Sequence, residues 1–300
     1  MPENIRTDKW KLAPNILQLS YLQETVEIYR ALVRALIGVI YVHWKEIELS
    51  SSACATVEKL IHRTSKNPSP RYKYFEEKFY KFPSYLRRAA IEVAIGQVRS
   101  FVTRYDKWQS GIRKRKDEHP SKLTAKVLAY PTLYLGQCVQ YLDNYQVANI
   151  KVFNGSDWFW TQITIAGKRK RHLVETNKQL SPSLIVKGKK VHLSVPFRIS
   201  VTKLDNKKQE VASVDLGINT AATCCIVSLI GTVTARLFLD LDQRDRHLKL
   251  ISKKASLTMG SGGKIRKGFC QSLYRKARNI NQQIAQKVSS SIAPINGISE

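Results

Sequence analysis

One acid at the end of an apolar run invites a chemical reading. Asp215 closes the stretch Glu210-Val-Ala-Ser-Val-Asp215, with Leu216, Gly217 and then small residues following as far as Thr223. The pattern predicts a strand that delivers a carboxylate into a site, with Gly217 turning the chain tightly behind it. A carboxylate so placed suits a divalent cation, or a pair of them acting together. Such a pair needs several acids, because two cations about 4 Å apart repel each other unless carboxylates bridge and neutralise them. After Asp240, Asp242 and Asp245 the next acid is Glu300. Those three follow the third predicted strand, at the edge away from Asp215 if the strands form a meander. They read as charges at the start of the next helix, where the dipole favours them.

Cationic side chains are the other chemistry. The chain carries 50 Lys and Arg against 23 Asp and Glu, a formal net charge of +27 in 300 residues. Nucleic acid is the natural partner of such an excess, since each phosphate neutralised releases a counterion and adds affinity regardless of sequence. The run Lys168-Arg-Lys-Arg171 stands near Trp158, Phe159 and Trp160. Aromatic and basic residues together suit base stacking and phosphate contact, although the tryptophans could equally be core. Arg87, Arg88, Arg275, Lys276 and Arg278 lie on predicted helices and complete the candidate nucleic-acid-binding set. Cys54, Cys138, Cys224, Cys225 and Cys270 form no C-x-x-C pair, so neither a disulfide framework nor a zinc site is expected. No stretch of 18 apolar residues and no signal-peptide core is present, which points to a soluble intracellular protein.

The elements that must position these groups follow from periodicity. A short strand is expected over Ile5–Leu12. A long amphipathic helix follows over Ile16–Trp44, with Leu19, Leu22, Val26, Tyr29, Val33, Leu36, Ile37 and Ile40 at helical spacing. A short aromatic helix near Tyr74–Phe82 precedes another long one starting at Ser84, a plausible N-cap, and running to about Ser110. Beyond Pro131 the pattern becomes β-rich, with strands at Ile150–Phe153, Trp158–Ile165, Leu184–Lys187 and Val191–Arg198 and turns at Asn154-Gly155 and Lys187-Gly188. The last third holds strands at Val211–Leu216, Ala221–Leu229 and Val233–Leu239, a polar helix from about Arg244, and a helix over Phe269–Ile292.

Taken in order, these segments resemble TnpB, the OrfB protein of bacterial insertion sequences and a relative of the type V CRISPR effectors. Lys11-Leu-Ala-Pro14 and the helix bearing Tyr29-Arg30 resemble the entry into its recognition lobe. Phe82-Pro-Ser-Tyr-Leu-Arg-Arg-Ala-Ala-Ile91, with Ala94, Gly96 and Trp108, is similar to its central helix, and His119-Pro-Ser-Lys-Leu123 to the proline turn that follows. Val214-Asp-Leu-Gly-Ile-Asn-Thr220 resembles its first RuvC motif, and Arg275–Ser291 the helix after it.

The resemblance implies an α+β multidomain fold. A wedge β-barrel would occupy residues 1–12 and 131–208, with a helical recognition lobe inserted over 13–130. A partial RNase H-like RuvC α/β domain would occupy 209–300. It also implies an RNA-guided, Mg2+-dependent DNA endonuclease of a bacterial cytoplasm, associated with the nucleoid, whose partners are a guide RNA and its DNA target rather than a membrane or a small molecule. Only Asp215 carries over as a catalytic and Mg2+-binding residue; the family's later Glu, zinc ribbon and final Asp have no counterpart here. The 300-residue chain is therefore expected to bind nucleic acid without cutting it, and to hold Mg2+ in at most an incomplete site. On the D-x-G turn alone, an actin-like or sugar-kinase-like protein using that turn on a phosphate of ATP is the rival. The 85 residues after Asp215 are too few for its two lobes.

Overall fold

A computed structural model describes residues 3–112, 122–123, 129–167, 172–200, 210–215, 220–228, 230–240, 242–266 and 268–292. The chain divides into two compact units, Met1–Val201 and Thr202–Glu300.

The first unit is mixed α+β, built on a curled antiparallel sheet that makes a half-barrel. Its first strand, β1 (Glu3–Ala13), is followed by the helices α1 (Ile16–Val42), α2 (Trp44–Leu49), α3 (Ala53–Ile61), α4 (Tyr74–Lys78) and α5 (Ser84–Gln109). The remaining strands come afterwards: β2 (Val139–Leu142), β3 (Val147–Phe153), β4 (Trp158–Gly167), β5 (Lys178–Gln179), β6 (Ser183–Lys187) and β7 (Lys190–Ser200). They hydrogen-bond in the order β2-β3-β4-β1-β7-β5, with β6 also on β7, so β1 sits in the middle of strands that follow it by more than a hundred residues. β1 pairs with β7 from Glu3 to Leu12 on one edge and with β4 at Lys11, Leu12 and Ala13 on the other, where the register shifts between Lys11 and Leu12; such bulges bend a strand and increase its twist.

Alternation along β1 decides which side is core. Asp8, Trp10 and Leu12 are buried while Thr7, Lys9 and Lys11 are exposed. Across the register, Val191, Leu193, Val195 and Phe197 of β7 join the buried side. One hydrophobic cluster runs through these strands and on into Leu22, Tyr29, Leu36 and Ile40 of α1 and Leu86, Ala90, Ala94 and Val98 of α5. α1 begins with a capping box: the Gln18 amide donates to Asn15 Oδ1 at 2.8 Å, and the Asn15 amide donates to Gln18 Oε1 at 2.9 Å. It is pinned to the sheet at Thr25, whose buried hydroxyl donates to the Tyr21 carbonyl and accepts from the Phe153 amide at 2.8 Å. Ser84 does not cap α5. Pro83, in extended conformation, holds the cap position without a side-chain bond, and Ser84 lies one residue inside the helix. The predicted helix near Tyr74–Phe82 ends at Lys78.

Inside the half-barrel an acid is buried with a partner. Asp8 is 4% exposed, and its Oδ1 lies 2.9 Å from Nδ1 of His172. Trp10 packs edge-on against Tyr141 and Tyr145, the latter reached through a turn whose Asp143, Asn144 and Tyr145 all have left-handed φ. That conformation costs a non-glycine residue roughly 1–2 kcal/mol, which the packing of Tyr145 on Trp10 and Tyr141 helps to offset.

The second unit holds a three-stranded antiparallel sheet of order β10-β9-β8, from β8 (Glu210–Asp215), β9 (Thr220–Ser228) and β10 (Val233–Asp240). Gly231, at φ +81°, turns β9 into β10. Two helices follow, α6 (Asp242–Gly260) and α7 (Gln271–Ile292). Ala222, Cys224 and Ile226 of β9, Ile251 of α6 and Ala277 of α7 are buried. No helix among the described residues is long and apolar enough to cross a membrane.

Candidate nucleic-acid interface

Asp215 ends β8, opposite Thr223 of β9. Residues paired across an antiparallel ladder point to the same face, so Asp215 shares its side with Ser213, Thr223 and Cys225, and with Arg236 and Phe238 of β10. This is the side away from Ala222, Cys224 and Ile226. Asp215 is exposed on it, and Phe238 is 68% exposed.

Asp240 lies on the other edge strand, paired with Thr220 where Asp215 pairs with Thr223, so the two are about 10 Å apart across the sheet and offset by three residues along it. Asp242 is the first residue of α6 and Asp245 lies in its first turn. No group of three His, Cys, Asp or Glu that could hold a metal occurs among the described residues. Among the described residues, Asp215 shares its face with hydroxyls, a thiol and a guanidinium rather than with the further carboxylates that a Mg2+ pair requires.

The predicted cationic residues fall into three situations. On α7, Arg275, Lys276 and Arg278 are exposed while Ala277 is buried. Gln271, Tyr274, Arg275 and Arg278 follow i, i+3, i+4, i+7 spacing and line a cleft of about 400 Å³ on one face of the helix. At the start of α5, Arg87 is largely buried and its Nη2 lies 3.4 Å from Glu58 Oε1. Arg88, half exposed, reaches the same oxygen at 3.3 Å and lies over the Tyr85 ring. Glu58 thus ties the pair to α3, and burial pulls the Arg87 guanidinium pKa down despite that acid. Lys168, Arg169, Lys170 and Arg171 lie outside the described residues.

The three aromatics near that run have separate roles. Trp158 packs between Phe82 and Phe153, and Phe159 packs edge-on against Tyr21 of α1. Trp160 is 37% exposed, with the ammonium of its cross-strand partner Lys151 above the ring at 5.9 Å. Two of the three are core, and one is available for stacking.

A further cationic surface comes from residues that sequence reasoning passed over. On the exposed side of the half-barrel stand Lys9 and Lys11 of β1, Lys178 of β5, Lys187 of β6, and Lys190, His192 and Arg198 of β7. Register puts Lys187 directly opposite Lys190 and Lys178 directly opposite Arg198. Like charges facing each other across a ladder, as Lys187 and Lys190 do, are destabilising. His192 registers this surface: burial first, then Lys9 and Lys187, hold its pKa below the ordinary histidine value. The signal in the sequence was alternation, Lys-x-Lys on the side opposite Trp10 and Leu12, rather than a run.

The family model described as the Aq_aa04 family matches residues 6–154, which take in most of β1, all five helices of the first unit, β2 and β3. No curated protein matches the chain.

Proposed function

We propose that the chain is a nucleic-acid-binding protein of the TnpB kind. In this reading the half-barrel and its helices hold an RNA and its DNA target, and the second unit is a partial RuvC core that carries the first acid, Asp215. The observation that carries the reading is the cationic face of the half-barrel. Lys9, Lys11, Lys187, Lys190 and His192 crowd one surface, and Lys187 stands opposite Lys190 across it. A phosphate backbone laid on that face would relieve the repulsion and release counterions. Two features of the fold support the more specific part. Helices separate β1 from the strands it joins, as a lobe inserted into a barrel requires. The β8–β10 meander places an acid at the end of its first strand, as a RuvC core does.

The 300-residue polypeptide binds without cutting, because Asp215 has Ser213, Thr223 and Arg236 beside it on its face rather than further carboxylates. A mobility-shift titration against salt tests this. Affinity should fall with a log–log slope steeper than about −3, for at least three neutralised phosphates. Asp215→Ala should leave it unchanged, and a plasmid with Mg2+ should remain intact. A slope shallower than that, or cleavage abolished by Asp215→Ala, would overturn the reading.

A further inference from the structure

A cleft of about 380 Å³ opens between α1, α3, α4 and the start of α5, within the size range of small-ligand sites. Its floor is apolar and fully built: Leu32, Ile61 and Phe75 are buried, and Phe79 and Phe82 continue the wall. Its rim is cationic and aromatic. Arg63 and Lys81 are exposed, Tyr80 is 71% exposed with the Lys81 ammonium 5.6 Å from its ring centre, and Glu76 is the one acid lining the cleft. Lys81 adopts φ +55°, a conformation disfavoured for a residue with a Cβ. It sets Tyr80 and Lys81 at the mouth, between the buried Phe79 and Phe82. The Lys81 ammonium also lies 3.6 Å from Asp157, but both side chains are more than half exposed, and such a pair is readily exchanged for a phosphate.

We propose that this cleft takes one unpaired nucleotide of a nucleic-acid strand, with its base on the Phe79–Tyr80 side and its phosphate between Arg63 and Lys81. The assignment rests on the nucleic-acid reading above and adds a place where a strand is read one nucleotide at a time. An apolar floor beside rim cations and an exposed ring is the combination that binds single strands, because every base has a π-face and every nucleotide a phosphate. An acidic peptide would meet the cations but leave the apolar floor without a ring to cover it. A fatty acid would use the floor but leave Tyr80 without a stacking partner. His62, on the same wall, is kept neutral near pH 7 by burial and by Arg87, so it can donate and accept at a base edge.

The test is a binding comparison on the full chain. One probe is a duplex with a single unpaired 2-aminopurine nucleotide; the other is the same duplex fully paired. The unpaired probe should bind about ten-fold tighter, as one stacked base warrants, and its 2-aminopurine emission should change on binding. Tyr80→Ala and Arg63→Ala should each remove the preference while leaving affinity for the paired probe in place. Both positions are exposed, so an unchanged melting temperature will show that each variant is folded. Lys187→Glu should instead weaken both probes alike. Tight but equal binding of the two probes would overturn the cleft assignment and leave the nucleic-acid reading standing. A preference that survives both variants would do the same. Absence of binding to either probe would overturn the nucleic-acid reading and the cleft with it. Saturable uptake of laurate or polyglutamate, lost in Tyr80→Ala and without any nucleotide preference, would reassign the cleft.

Discussion

The two units bury their apolar residues differently. In the first, Trp10, Tyr29, Phe197, Leu36 and Leu86 belong to a single cluster that passes through sheet and helices alike. In the second, the buried hydrophobics among the described residues are Ala222, Cys224 and Ile226 on one side of the three-stranded sheet, with Ile251 of α6 and Ala277 of α7, mostly small. The other side of that sheet carries Phe238, Val211 and Asp215 in contact with water. Three strands with one apolar face are close to the minimum for independent stability. The difference separates roles. The first unit can tolerate unfavourable charge on its surface because its core is deep. The second has little stability in reserve, and its acid stands on a face that its own described helices leave open.

The largest effect should come from cutting into the deep core. Trp10 is fully buried and touches Tyr141, Tyr145 and Phe197. Trp10→Ala should cost the first unit about 4 kcal/mol. Calorimetry should then show its transition falling while that of the second unit stays in place. A joint fall of both transitions would mean that the two units unfold as one, and the contrast between them would fail.

Next comes the buried acid. Asp8 has His172 as its partner at 2.9 Å, and its other oxygen has no partner among the described residues. Removing one member of a buried pair leaves the other uncompensated. His172→Ala should therefore cost about 3 kcal/mol by urea unfolding, and the double change Asp8→Leu with His172→Leu should recover much of it. A cost below about 1 kcal/mol for the single change would show that water reaches Asp8 in solution.

How much of this was legible beforehand depends on range. The long helices, the β4 and β7 strands, and the β8–β10 meander were readable, because their periodicity is written in consecutive residues and their turns carry Gly155, Gly188 and Gly231 at positive φ. The short helix α4 and strand β6 were readable too, but α3 and β2 were not. α3 has only Val57 and Ile61 as buried anchors, and β2 is four residues held by pairing with β3. The site suffered most. Lys178 faces Arg198 and Lys187 faces Lys190 only because of strand register, and Asp8 meets His172 across 164 positions of sequence. A contiguous run such as Lys168–Arg171 draws the eye for the same reason that alternating lysines escape it: on a strand, charge is assembled across neighbours rather than along the chain.

Smaller effects probe the cationic face, where stability and binding should move in opposite directions. Lys187→Glu turns a like-charged cross-strand pair with Lys190 into an opposite one, a gain of about 0.5 kcal/mol. The same change should lower the salt slope of nucleic-acid binding by about one. His192 supplies the pH dependence. Its folded pKa is held below the unfolded value, so below about pH 6.5 the unfolded state takes up the proton more readily, and this residue's contribution to stability falls with pH. A phosphate on the face would oppose Lys9 and Lys187 and favour the protonated ring, so binding should tighten as pH drops from 7.5 to 5.5. His192→Gln should flatten both trends. Stability and affinity falling together in Lys187→Glu would show that the face is structural.

The smallest expected effect is the most telling about the second unit. Phe238 is 68% exposed on the Asp215 side, so in the isolated chain Phe238→Ser removes little buried surface and should change stability by no more than about 0.5 kcal/mol. A large loss would mean that the face is covered in solution, by a second copy or by some other chain, since an exposed phenyl ring has nothing else to lose. Sedimentation distinguishes the two directly: self-association would vanish in Phe238→Ser, whereas a monomer of unchanged stability would leave Asp215 on an open face. In that second case Asp215 faces solvent, and any cation it met there would find a single carboxylate, hydrated and weakly held, beside the guanidinium-bearing strand position of Arg236.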